Sequence, residues 1–454
     1  MNFPSNHFPT NVFSKNATFD GALSIAGIKA TTLAKEFSTP LFVIDEDDFR
    51  TRALAWKSAL DKHFGAQAGH VYYASKAFIS VEVAKWINEI GIGLDVCTGG
   101  ELAVGLAAGF PADRIEVHGN NKSEAEITAA ITAGCATIVL DSFHEIERVN
   151  RIAGAHNTIQ KVLLRLTPGV EAHTHESIST AHEDVKFGFS IASEAAWKAV
   201  EEVEAAPHLR LAGIHSHIGS QIFIADGFEV AATRLIEFLA RFRDHFNREL
   251  PELDLGGGYG IAYLADESTM DPDQMMANLA AIVKSQCAAH NLVVPTVSIE
   301  PGRAIVGPST TTLYEVGTTK VVTLENGANR RYVSVDGGMS DNIRPSLYQA
   351  EYLAILANRE STESTRDSRV VGKHCESGDI IIRSIELPGD VDAGDLLAVP
   401  ATGAYGRSMA SNYNHMVRPA VIAVKSGTVR VIVRRETVED LLSLDVVESP
   451  RTLS

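Results

Sequence analysis

Three things are scarce in this sequence of 454 residues, and each scarcity excludes something. Four cysteines, Cys97, Cys135, Cys287 and Cys375, are too few and too scattered for a disulfide framework or a zinc knuckle. Reduced thiols in a cytoplasmic setting are therefore expected. No uninterrupted apolar run approaches the roughly 18 residues of a membrane span. The N-terminus has no basic stretch followed by an apolar one, so no signal peptide is expected. Basic residues are outnumbered: 40 Lys and Arg against 57 Asp and Glu give a formal net charge of −17. A surface of that sign repels nucleic acid and anionic membrane, so neither is an expected partner. Apolar residues make up 45% and charged residues 21%, which excludes wholesale disorder. The length predicts two or three domains, each able to bury a core.

Short β-branched runs recur from about residue 70, each followed by a helix-like stretch. Strands are expected near 71–75, 91–96, 114–119, 137–142, 162–167, 211–217, 252–258 and 296–302. Ala-rich amphipathic segments such as SVEVAKWINEIG and SEAEITAAITAG fill most of the gaps. Strand–helix alternation implies right-handed parallel crossovers. Eight such units predict an α/β fold, a (β/α)8 TIM-type barrel over 48–305, with an open doubly wound sheet as the alternative. Beyond residue 305 helical stretches are few and strands joined by turns dominate. Residues 31–47 plus 306–454 are expected to form a C-terminal antiparallel β domain contributing to the active site. Residues 1–30 read as a loose leader, and the polar stretch 358–372 as an exposed, mobile loop.

In such barrels chemistry lies at the carboxyl ends of the strands. Here those ends carry Lys76, Asp95, His118, Arg165, His217 with Ser220, Gly256-Gly257-Gly258, and Glu300-Pro301-Gly302-Arg303. A triple glycine lets backbone approach an anion and offer N–H donors, and a phosphate after strand seven is a recurrent barrel site. A tight turn alone would also explain it. A lysine at the barrel mouth could extend to solvent, or, desolvated, form a Schiff base. Lysine, carboxylate and phosphate cradle together describe a pyridoxal 5'-phosphate site.

The motifs YYASKAF, GLDVCTGGEL, HGNNKS, HSHIGSQ, DLGGGYG, EPGR, DGGMSDNIRPSLY, CESGD and GAYG stand in this order over roughly residues 40–430. In this the sequence resembles the group IV pyridoxal-phosphate decarboxylases, whose fold is an alanine racemase-like barrel plus a β domain. The resemblance implies that Lys76 carries the cofactor, His217 stacks on its ring and Glu300 faces its ring nitrogen. It implies that Ser220, Gly257, Gly258, Gly302 and Arg303 hold the phosphate with Tyr405, and that Asp95 and Glu101 place Lys76 and His217. Cys375 would act as general acid from the partner subunit of a homodimer with active sites at the interface. A thiol suits that work because it titrates not far above neutrality.

Within the family, a guanidinium at the substrate's far end separates substrates with a distal carboxylate from those ending in an amine. Arg344, with Arg303, Tyr348, Glu376 and Tyr405, matches that need. The expected reaction is decarboxylation of meso-2,6-diaminopimelate to L-lysine, the last step of lysine biosynthesis. Alternatives are a decarboxylase for ornithine, arginine or carboxynorspermidine, an amino-acid racemase, and a non-enzymatic cofactor-binding protein. The histidines His173, His175 and His182 lie in a stretch, 171–184, without a strong zinc spacing. A lid or interface loop is expected there, and no metal. Cys97, Cys135 and Cys287 read as core residues.

Overall fold

A computed structural model of the chain describes residues 8–66, 68–169, 186–217 and 226–447. They fold into two compact units. One runs from Asp48 to Ala262 and from Asp266 to Pro308; the other comprises the chain up to Asp47, Tyr263–Ala265 and the chain from Ser309 onward.

The first unit is a closed parallel barrel. Its strands, in chain order, are Gly69–Ala74, Gly93–Val96, Ile115–Val117, Thr137–Leu140, Gln160–Thr167, Leu209–His215, Glu252–Asp254 and Thr296–Ile299. Each pairs with the next, and the last closes on the first through Val297 opposite Gly69. The interleaved helices have the caps their sequences specify. Ser80, Thr98, Ser123 and Ser142 each accept a backbone N–H of the first turn, and Ser123 with Glu126 forms a full capping box. Each such cap stabilises by about 1 kcal/mol. Gly91 and Gly134 close their helices in the left-handed conformation. The inward stripe of the helix Val81–Ile90 (Val83, Ala84, Trp86, Ile87) is buried. Trp86 meets Phe49 edge-on, with 5.4 Å between ring centres.

The strands are shorter at their carboxyl ends than the apolar runs suggest. The seventh stops at Asp254, because Gly256 turns the chain with φ of 69°. A side chain there would sit 2.7 Å from the Ser216 carbonyl oxygen, and one at Gly257 would sit 2.4 Å from that of Glu300. Glycine is required at both places for the backbone of one strand end to pass this close to the next.

The second unit is built on a sheet in the order Ile380–Pro388, Thr365–Val371, Asn329–Val335, Thr310–Thr323, Leu41–Asp45, Ala420–Lys425, Thr428–Val433. The expected antiparallel arrangement is only partly correct, since the sheet is mixed. Asn329–Val335 runs parallel to Thr365–Val371, and Leu41–Asp45 parallel to Ala420–Lys425. The last of these pairings joins segments far apart in the chain, so no hairpin sets its direction.

Two further expectations fail here. The stretch 358–372 is not simply an exposed loop, since Thr365–Val371 is a strand hydrogen-bonded on both sides. Its Ser368 and Val370 are fully buried, and Arg331 Nε donates to Ser368 Oγ at 3.0 Å. Polar composition misled because this strand's inward positions are filled partly by hydroxyls with partners. Nor are residues 8–29 loose. Ala17–Phe19, Leu23–Ile25 and Ile28–Lys29 form a small antiparallel sheet, and Val12, Phe13, Leu23 and Ile25 are buried. Strands of two or three residues are too short to show alternation.

Candidate active site

The carboxyl ends of the barrel strands bring charged side chains into an apolar interior. Glu300, one residue past the eighth strand, is 3% exposed. Its Oε1 lies 3.1 Å from His215 Nε2 and 3.3 Å from His118 Nε2. The two imidazoles meet edge to face with centres 5.0 Å apart. His118 Nε2 also lies 3.7 Å from Asp95 and 3.8 Å from Glu116. Lys76 Nζ stands 4.0 Å from Asp95 Oδ2.

Burial decides the charges. It holds His118 well below its ordinary value, against the pull of Glu300, and lowers His215 in the same way. Asp95 is pushed up to about 8 by burial and by Glu300, with Lys76 opposing. For Glu300 burial favours the neutral acid, but His118, His215 and Lys76 outweigh it and hold the carboxyl well below the carboxylate range. The site thus centres on an ionised carboxylate deep in the barrel.

His217 is fixed at the glycine turn. Its Nδ1 accepts the Gly257 N–H at 3.1 Å, and burial keeps the ring far below its ordinary value. A neutral ring so held carries its proton on the other nitrogen. Gly302 is required on the opposite side, where a side chain would meet Ala74 Cβ at 2.8 Å. Arg303 opens the helix Arg303–Val306 and is 8% exposed. Glu101 Oε2 accepts the Cys97 N–H at 2.6 Å, which ties the helix Gly99–Ala107 to the end of the second strand.

Of the expected barrel residues, Lys76 and Asp95 pair, Glu300 lies within the same cluster of charged groups, and His217 meets Gly257. Gly258, Gly302 and Arg303 occupy the neighbouring strand ends. Ser220 and the stretch 171–184 lie outside the described residues. Cys135 and Cys287 are buried, whereas Cys97 is only half-buried, with its Sγ 3.8 Å from Asp95 Oδ1. It borders the site instead of filling the core.

His118, His215, Glu116 and Asp254 carry no expected role, yet they form the inner wall. A signal for them exists: a charged residue inside an otherwise apolar strand, as in RIEVHG and ELDLGGG, has nowhere to go in a barrel but the other acids and bases.

In the second unit a different group assembles. Arg344 is buried, its guanidinium 4.8 Å from the centre of the Tyr263 ring and donating to Tyr352 Oη. Tyr348 ends the same short helix, Arg344–Tyr348. Asp379 accepts the N–H groups of Met339 at 2.7 Å and His374 at 2.8 Å, and Ser346 Oγ donates to the Gly378 carbonyl at 2.6 Å. His374 bonds Ser340 at 2.8 Å and Asn414 at 2.9 Å. The loop bearing Cys375 and Glu376, both exposed, is thereby tied to the segment leading into Arg344. Tyr413 Oη donates to Glu376 Oε2 at 3.3 Å, a partner the motif reading missed. Tyr405 sits half-buried in the Gly403–Gly406 turn with φ of 61°.

A buried carboxylate without a full cation beside it, a lysine at a strand end and turns where only glycine fits suit a cationic pyridine bearing an aldehyde and a phosphate. The chain belongs to the pyridoxal-dependent decarboxylases: residues 46–307 match the family model "Pyridoxal-dependent decarboxylase, pyridoxal binding domain".

Within that family several similar proteins are diaminopimelate decarboxylases. The diaminopimelate decarboxylase of Mycobacterium tuberculosis is 56% identical over 446 residues, covering 97% of this chain and 99% of the relative. That of Bacillus subtilis is 45% identical over 426 residues, covering 94% and 95%. Among solved structures, diaminopimelate decarboxylase from M. jannaschii superposes with a TM-score of 0.88 at 29% identity, covering 96% of this chain and 98% of the other. The Helicobacter pylori diaminopimelate decarboxylase, complexed with L-lysine, gives 0.81 at 29% identity, covering 91% and 98%.

Proposed function

We propose that this chain removes carbon dioxide from meso-2,6-diaminopimelate to give L-lysine, with pyridoxal 5'-phosphate as cofactor. The observation that carries the reading is Glu300 buried between His118 and His215 in a barrel that also presents Lys76, in a chain 56% identical to a diaminopimelate decarboxylase.

When bound, the cofactor supplies an electron sink for the pair left by departing carbon dioxide. The protein's part is to hold and aim. Lys76 is the amine that would carry the cofactor covalently. Glu300 would keep a proton on the ring nitrogen by offering it a negative charge held in a buried setting. The glycine turn at Gly257, the N–H groups at Gly258 and Gly302, the guanidinium of Arg303, and Ser220 and Tyr405 are the proposed phosphate partners. His217, held by the Gly257 N–H, would stack on the cofactor ring. Asp95 and Glu101 set the position of Lys76 and of the second strand's end.

Recognition of the far end of the substrate is assigned to residues of the second unit and to Arg303 of the barrel unit. Arg344 and Tyr348, with Arg303 and Tyr405, are assigned to its carboxylate, and Glu376 to its ammonium. Burial of Arg344 supports this, because a guanidinium held in place by Tyr352 loses little freedom on meeting a carboxylate. Cys375 is assigned the proton that replaces carbon dioxide on the α-carbon. A homodimer with Cys375 and Glu376 reaching the partner's site fits the exposure of both. A cytoplasmic location suits four reduced thiols; among the described residues no helix is long and apolar enough to cross a membrane.

Carbon dioxide release should be measured from meso-diaminopimelate, ornithine, arginine and lysine in parallel. Release from meso-diaminopimelate alone is expected. Comparable release from ornithine or arginine overturns the substrate assignment.

A further inference from the structure

Beneath Glu300 the barrel interior holds two more acids that no step above uses. Glu116 is 1% exposed and Asp254 is 1% exposed. One carboxylate oxygen from each, and one from Glu300, all lie within 4.8 Å of one another. Asp254 Oδ1 accepts the Gly256 N–H at 2.7 Å, which fixes the acid at the root of the glycine turn. Its Oδ2 and Glu116 Oε2 have no hydrogen-bond acceptor or donor aligned with them.

Among the described residues, no ammonium or guanidinium group forms an ion pair with these two acids. Tyr72 faces them from the first strand and Tyr259 from beyond the seventh, both kept in the phenol form by burial. Asp95 from the second strand and Glu300 from the end of the eighth add two more carboxyl groups, not a cation. His118 is the nearest base to Glu116 at 3.8 Å, shared with Asp95 and Glu300, and His215 faces Glu300. Lys161, the nearest ammonium in the electrostatic environment of Glu116, is taken up by Glu252 at 2.7 Å. Three carboxylates this close cannot all be ionised in a dry interior.

We infer that Glu116 and Asp254 are positioning residues that stand behind Glu300 as neutral carboxylic acids, so that Glu300 alone of the three carries the negative charge offered to the cofactor ring. Burial pushes Glu116 up to about 8 and Asp254 well above its ordinary value, in keeping with that geometry. The inference rests on Glu300 being the ring's partner. It explains why the acids must stay protonated here: a neutral acid adds no charge beside Glu300, where ionised neighbours would drive Glu300 to take up a proton.

Infrared difference spectra of the cofactor-loaded protein at neutral pH, wild type minus Glu116→Gln and wild type minus Asp254→Asn, read the protons directly. Each difference is expected to show the loss of one protonated-carboxyl C=O band that shifts in heavy water. Cofactor affinity gives the second readout. The amides keep a donor and an acceptor, so the dissociation constant should stay within about threefold, while alanine at either position should weaken it about tenfold or more. Loss of an ionised-carboxylate band instead, or amides as damaging as alanine, overturns the inference. Neither readout needs turnover. Glu300→Gln is the separate control: a cofactor affinity and absorbance it leaves untouched would sink the reading of Glu300 itself.

Discussion

The two units handle charge in opposite ways. In the barrel unit Asp95, Glu116, His118, His215, Asp254 and Glu300 are all buried, and their protonation is decided by burial and by one another. In the other unit Cys375 and Glu376 are exposed, on a loop held by backbone bonds to Asp379 and by His374. A group whose charge must be fixed before substrate arrives profits from a dry, rigid surround. A group that must reach a substrate or another subunit cannot be enclosed in its own chain. The barrel is thus built to set electronic state, and the β unit to present donors and acceptors.

The largest effects should separate these two tasks. Lys76→Ala should abolish both turnover and the cofactor's bound absorbance, because no other amine is placed at the first strand's end. A yellow, active variant would break the comparison at its root. Cys375→Ala should leave that absorbance intact while slowing turnover by about 10²–10⁴-fold, the ordinary contribution of a positioned general acid. Absorbance titration beside steady-state rates checks both. A Cys375 variant that loses the cofactor would mean that the exposed loop also sets the barrel's chemistry.

Eight parallel strands and the place of Lys76 at the end of the first were legible because both leave periodic or punctuated traces. Apolar runs mark strands, and Lys76, Glu300 and the three glycines fall where those runs end. The inner wall of His118, His215, Glu116 and Asp254 was not, because its meaning is a distance between strands that no local pattern carries. Tyr413 was missed for the same reason, since its partner Glu376 is 37 positions away. The strand Thr365–Val371 failed differently: its residues lack β-branched apolar alternation, and only its two flanking strands make it a strand.

Stability should show the same division at smaller size. Trp86→Ala removes a fully buried indole packed on Phe49 and should cost the barrel about 3–5 kcal/mol. Val370→Ala should cost the β unit about 2 kcal/mol, from two lost methyl groups and the space they leave. Denaturant melts followed by probes in each unit report both values. No measurable loss at Val370 would restore the reading of 358–372 as a mobile loop.

The β unit also has a buried acid of the barrel's kind, and it gives the sharpest test. Asp341 is buried, accepts the Gly338 N–H at 2.8 Å and takes a hydrogen bond from Tyr314 Oη. Burial pushes it up to about 7, with Tyr314 and Gly338 opposing. A raised acid binds its proton more tightly folded than unfolded, so its stabilising contribution is complete below about pH 4 and is lost as pH rises toward 7. Across that window the loss should be roughly 1.4 kcal/mol per pH unit. Asp341→Asn cannot titrate, so the wild-type-minus-variant difference in unfolding free energy should carry this slope, with shared contributions from the barrel acids cancelling. A flat difference between pH 4 and 7 would mean that Asp341 stays ionised, with Tyr314 and Gly338 outweighing burial, and that neutral buried acids belong to the barrel unit alone.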